Sequence, residues 1–162
     1  MNGRLMKFLD TTTWLPEFNV LVFAVLLNFP WELLQVPMFE KMADAPHWET
    51  VKTCACATLG DAIIMLAAYE CVTVVAGTRR WIVEPDKAVI TGFVSVGLSI
   101  TVVLERLVLK GLWITHWSYS PLMPVVPGPK VGLTPVLQWL LLPPLIVWFV
   151  RSQLGLVHTL RR

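Results

Sequence analysis

What most limits this chain is a set of four apolar runs, at residues 18–39, 54–76, 88–109 and 131–150. A hydrocarbon core of about 30 Å takes roughly 20 helical residues to cross, and each run meets that length. Inside lipid only helices and closed barrels satisfy their own backbone polar groups, and runs this long read as helices. They use up so much of the 162 residues that no stretch remains for a soluble domain. The predicted fold is therefore an all-α integral membrane protein, a single domain over 1–162 forming a four-helix transmembrane bundle. Composition agrees: only 15% of residues are charged, against about 25% in soluble domains. A net charge of +2 is too small to suggest a nucleic-acid partner.

Several function classes drop out at once. The chain has no Walker A, GxGxxG, HExxH, GxSxG or CxxC motif, which argues against nucleotide use and soluble-type redox chemistry. Cys54, Cys56 and Cys71 are too few for a disulfide framework and read as small buried residues. Arg4 and Lys7 precede a first apolar run of full spanning length, so that run reads as an uncleaved anchor. Asp10 and the run 11–13 offer caps for a short interfacial helix ending at Trp14.

Sidedness follows from the basic residues. Arg4, Lys7, Arg79, Arg80, Lys87, Arg151, Arg161 and Arg162 fall on one side, and Lys41, Lys52, Lys110 and Lys130 on the other. The positive-inside rule puts the richer side, with both termini, in the cytoplasm. A multi-pass protein of the plasma (inner) membrane is the expectation, with the links between spans 1–2 and 3–4 facing outward.

The spans are not uniformly apolar. Span 1 carries Asn28, Pro30, Glu32, Gln35 and Pro37 within ten residues, and Pro30 should kink or open its helix. Pro135, Pro143 and Pro144 should break the ladder of span 4. Span 2 is rich in alanine and glycine, and Gly92, Ser95 and Ser99 make a small-residue stripe in span 3, so close helix approach is expected at both. Glu32, Asp61, Glu105 and Gln138 each fall about five to seven residues from the outer end of their span, a common depth of roughly 7–11 Å. Charges there are costly, about 2.5–3.5 kcal/mol each at a span centre, so they should face the bundle interior. Arg106 is the cation expected to pair with Glu32 or Asp61. Glu70 lies too far toward the other side and should form a structural pair there. A polar residue in each span, with an outer His-Trp (His47-Trp48, His116-Trp117) between spans of each half, also suggests a faint 2+2 repeat.

The link between spans 3 and 4 is aromatic and broken by prolines. Trp113, Trp117 and Tyr119 alternate with aliphatic residues, and Pro121, Pro124, Pro127 and Pro129 prevent a long helix. It should lie in the outer interface across the bundle mouth.

Glu105 followed by Gly111-Leu112-Trp113, then Trp117-Ser118-Tyr119 with Pro121, then Leu133, Pro135, Leu137 and Trp139 resembles a pattern in membrane carotenoid-biosynthesis proteins. These are the lycopene cyclase-type and carotenoid hydratase-type domains, and the resemblance covers residues 88–150. It implies that Glu105 takes part in the chemistry and that Trp113, Trp117 and Tyr119 touch a polyene. The family's acidic residue after the proline of the last helix is Gln138 here. The W-E-x-x-Q of span 1 (Trp31, Glu32, Gln35) also resembles that of a family of bacterial membrane proteins, a likeness that names no activity.

Three readings of function stand. One is an enzyme acting on a lipid-soluble, isoprenoid- or carotenoid-like substrate by acid/base chemistry, with Glu32, Asp61, Glu105 and Arg106 as the reacting set. Asn28, Trp113, Trp117, Tyr119, Gln138 and Trp139 would then hold the substrate. Another is a non-enzymatic subunit that binds a pigment, quinone or haem, or assembles as a homo-oligomer or into a larger membrane complex. The third is a metal site using His47, His116 and the carboxylates, although neither histidine has a partner three or four residues away. No cofactor is specified, and membrane lipid is the one partner every reading shares. The charge count predicts that a reporter active only outside the cytoplasm works when inserted between spans 1 and 2 and fails after residue 150. The opposite pattern would reverse the orientation.

Overall fold

A computed structural model of the chain describes residues 15–112 and 117–160, with side chains described as far as 155. The cap at Asp10, the basic residues Arg4, Lys7, Arg161 and Arg162, and Trp113 and His116 lie outside the described residues. Four helices make up most of it: α1 (Pro16–Gln35), α2 (His47–Ala76), α3 (Lys87–Leu109) and α4 (Leu133–Leu160). All four are long and apolar enough to cross a membrane. Each packs on the next in sequence, and α4 returns to α1, closing a four-helix ring. This is the architecture of a polytopic membrane protein.

Local chemistry sets most helix ends. Pro16 opens α1 at a position where its missing N–H would have no partner anyway. The Asp86 carboxylate accepts from Val89 N at 2.7 Å and caps α3, a contact of about 1 kcal/mol. Gly77 ends α2 in the left-handed region at φ +67°, where a side chain would be strained.

Some boundaries differ from the sequence expectation. α2 begins at His47 rather than at residue 54, so its first two turns come from what reads as a polar link. Span 4 reads as starting at 131, yet Val131–Gly132 is a short strand paired antiparallel with Val125–Val126, and the helix starts after it. The prolines do less than expected. α1 runs unbroken through Pro30 because one buried stripe, Val20, Ala24, Asn28, Glu32 and Gln35, packs continuously on both sides of it. Pro37 ends the span instead, in a 3-10 turn at Val36–Met38. Pro135 sits in the first turn of α4, where no intrahelical N–H bond is lost, and α4 continues through Pro143 and Pro144.

The ring is plugged at one end. The link after α2, which reads as a polar loop, folds as a 3-10 turn at Arg79–Ile82 that buries Trp81 and Ile82. The Trp81 ring lies 5.3 Å from Tyr69 and 5.5 Å from Phe93, and its indole N–H donates to Thr73 Oγ1 at 3.0 Å. Tyr69 donates its hydroxyl to the Arg79 carbonyl at 2.6 Å. Arg79 also reaches Glu17 on α1 at 3.4 Å. That pair takes the place expected of Glu70, which forms no ion pair among the described residues.

Of the small-residue stripe of α3 only Gly92 meets a neighbouring helix, where a Cβ would fall 3.9 Å from the Val72 side chain of α2. Ser95 and Ser99 are exposed, and the buried face is Phe93, Gly97, Thr101, Glu105 and Val108. Gly97 carries the close approach: a Cβ there would fall 1.9 Å from the Trp139 ring of α4. Gly97→Ala should therefore destabilise the protein by about 1–3 kcal/mol. Gly60→Ala, where the added Cβ meets nothing within 4 Å, should be neutral or gain up to about 1 kcal/mol. Thermal unfolding of both variants in detergent checks the contrast.

Candidate functional site

At the other end, the ring opens into a cleft of about 1050 Å³. Glu32 comes from the last turn of α1, Asp61 from about four turns into α2, Glu105 from near the end of α3 and Gln138 from the second turn of α4. All four line this cleft. Asp61 reaches it from so far along its helix because α2 begins early and extends past its neighbours.

Gln138 is the centre of the polar contacts. Its amide nitrogen donates to Asn28 Oδ1 at 2.7 Å and to Asp61 Oδ2 at 2.7 Å, and lies 3.5 Å from Glu32 Oε1. A side-chain amide has two N–H bonds, so the two short contacts use both. Asn28 turns its own amide N–H to the Ala24 carbonyl at 2.7 Å. Glu32 Oε1 accepts from Gln35 Nε2 at 2.7 Å. Asn28 and Gln138 thus act as framework for the two carboxyl groups.

Glu105 is held separately. Tyr119 donates its hydroxyl to Glu105 Oε2 in a short hydrogen bond. The Tyr119 oxygen itself accepts from Gly132 N at 2.8 Å, which directs the phenolic hydrogen at the carboxyl. Burial, and then the neighbouring Glu105, push the Tyr119 phenol above the usual tyrosine range, so it remains a donor at physiological pH. Tyr119 is positioned by antiparallel pairing of residues 118–120 with residues 38–40, which follow α1. Glu40 N donates to Ser118 O and Ser120 N to Met38 O, both at 2.9 Å, and Ser120 Oγ donates to the Pro37 carbonyl at 2.8 Å.

Two of the predicted site residues stand elsewhere. Arg106 forms no ion pair among the described residues; its guanidinium donates to the Pro129 carbonyl at 3.0 Å on the exposed side of α3. The cause is helical geometry, since adjacent residues point about 100° apart and Glu105 takes the inward position. Trp139, expected as a substrate contact, is buried in the core against Gly97. Trp117 does line the mouth of the cleft. Of the cysteines, only Cys54 is buried; Cys56 and Cys71 are exposed. His47 is exposed at the start of α2, and no group of three metal-ligating side chains converges among the described residues.

Gln35 and Thr101 also line the cleft, although the sequence pattern assigns neither to the site. Gln35 is one turn from Glu32 and Thr101 one turn from Glu105, so helical spacing alone could have found both. The chain matches no protein-family model, no curated protein and no solved structure. Gln138→Leu should cost about 1–3 kcal/mol for each acceptor left unpaired, Asn28 Oδ1 and Asp61 Oδ2. Adding Asn28→Leu should then cost less than Asn28→Leu alone, because one orphan acceptor leaves with it. A double-mutant cycle on unfolding temperature measures the coupling.

Proposed function

We propose that this protein is an enzyme of the plasma membrane, with both termini cytoplasmic, that transforms a lipid-soluble isoprenoid- or carotenoid-like substrate by acid/base chemistry. The observation that carries the reading is that three carboxyl groups, Glu32, Asp61 and Glu105, border one cleft with no ion-paired cation among the described residues, in two separate hydrogen-bond settings. Separate settings give carboxyl groups different proton affinities, which lets one act as acid and another as base. Glu105, whose Oε2 accepts from Tyr119, is the base. Glu32 and Asp61 form the proton-donating pair. Proton transfer to an alkene carbon creates a carbocation, and the Trp117 face at the mouth offers cation–π stabilisation. Loss of a neighbouring proton to Glu105 would give a double-bond isomer; attack of a second alkene of the same chain on the cation, followed by that proton loss, a ring; and capture by water, with its extra proton passing to Glu105, an alcohol. The resemblance to carotenoid-biosynthesis domains supports the same class of substrate. Arg106, facing away, has no part in this scheme.

The test is the lipid extract of cells expressing Glu32→Gln and Glu105→Gln, two near-isosteric changes that remove the proton-transfer group. General acid/base catalysis contributes about 10²–10⁴-fold, so product should fall by at least about 100-fold in each. An unchanged lipid profile in both variants removes the enzyme reading and leaves a subunit that binds a pigment, quinone or haem.

A further inference from the structure

We propose that the cleft is a slot for a single lipid chain headed by a hydroxyl group, with Gln35 and Thr101 as the residues that select the hydroxyl. The apolar part of the argument starts from α2. Thr53, Cys56, Ala57 and Gly60 recur at helical spacing, are exposed, and line the cleft rather than a helix contact. Space is open at Gly60, where a Cβ would meet nothing within 4 Å. Across from them α3 presents Leu104 and Val108. Both walls belong to helices apolar enough to cross a membrane, so the chain that fits between them is hydrocarbon.

The head group is specified by two polar atoms that nothing among the described residues satisfies. Gln35 is 6% exposed and Thr101 is 8% exposed, both line the cleft, and Gln35 Oε1 and Thr101 Oγ1 have no hydrogen-bond partner. In an apolar setting such atoms are costly unless a ligand meets them. Gln35 has committed its nitrogen to Glu32, so what remains is an acceptor that requires a donor. Thr101 is unusual among the helical hydroxyls here. Thr58, Thr91 and Ser99 each donate to the carbonyl four residues back, at 2.7–2.8 Å, whereas Thr101 does not. A hydroxyl has one hydrogen to give and lone pairs to receive, the two functions that Gln35 Oε1 and Thr101 Oγ1 lack. A ketone or quinone has no hydrogen for Gln35. A carboxylate has none either, and is repelled by the ionised base Glu105.

This deepens the proposed function by naming the ligand class, and it rests on that reading only for the location of the site. Its test is therefore binding, measured without turnover, by native mass spectrometry of the full chain in mild detergent. The probes are a C20 prenyl alcohol, the hydrocarbon of the same skeleton and the corresponding primary amine. The expected result is retention of the alcohol over the hydrocarbon by about three- to tenfold, the worth of one or two hydrogen bonds. Thr101→Val, which keeps the side-chain shape and removes a hydroxyl with no internal bond, should erase most of that preference and leave hydrocarbon retention unchanged. Gly60→Leu should narrow the slot and weaken retention of both alike, with a thermal unfolding curve showing that the fold persists. Equal retention of alcohol and hydrocarbon, a preference for the amine, or an alcohol preference that survives Thr101→Val would overturn the assignment. Alcohol selectivity alongside unchanged lipid products in Glu105→Gln would keep the slot and remove the enzyme. Product loss in Glu105→Gln without alcohol selectivity would do the reverse.

Discussion

Two consecutive residues of α4 hold the four helices in their relative positions. Gln138 donates to Asn28 on α1 and Asp61 on α2, while Trp139 packs into the space left by Gly97 on α3. Between apolar helices in lipid there is little hydrophobic force to select one arrangement over another, so close packing and polar contacts decide it. Adjacent residues point about 100° apart, which lets one helical turn face three neighbours at once. A change at this turn reaches every element that borders the cleft.

The two ends of the ring have opposite characters for a physical reason. At one, Trp81 and Ile82 fold inward and fill the space between helices with apolar side chains whose polar atoms find partners locally. At the other, the inward positions belong to Glu32, Gln35, Asp61, Thr101 and Glu105, and polar groups cannot close on one another as tightly as an aromatic cluster does. The backbone pairing of residues 118–120 with residues 38–40 sets the mouth of this cleft and delivers Tyr119 to Glu105. The segment is thus part of the architecture of the site, although it contains no helix.

Much of the polar layer was legible from helical rise alone. Glu32, Asp61, Glu105 and Gln138 were placed at one depth by counting residues, and all four border the cleft. The count for Asp61 used the wrong helix start, and it worked because the apolar run, rather than the helix, marks the depth. Arg106 was misjudged because charge complementarity was weighed above direction. Trp139, next to Gln138 in sequence, points about 100° away from it and packs on Gly97 instead of bordering the cleft. The helices continue through Pro30, Pro143 and Pro144 for a shared reason: a helix packed on both sides tolerates a missing hydrogen bond that would end it alone.

Sequence by itself determined the four helices and the set of carboxyl groups that must avoid lipid. Run length against bilayer thickness and the cost of charge in hydrocarbon are properties of composition and spacing, and need no tertiary information. Only the tertiary structure decided which of those groups share a cleft, that one amide of Gln138 joins two of the helices, and that the small residues of α2 border open space. Those outcomes depend on the rotation of each helix about its own axis. That rotation is set by side chains far apart in sequence, such as Gly97 and Trp139, whose fit no local pattern encodes.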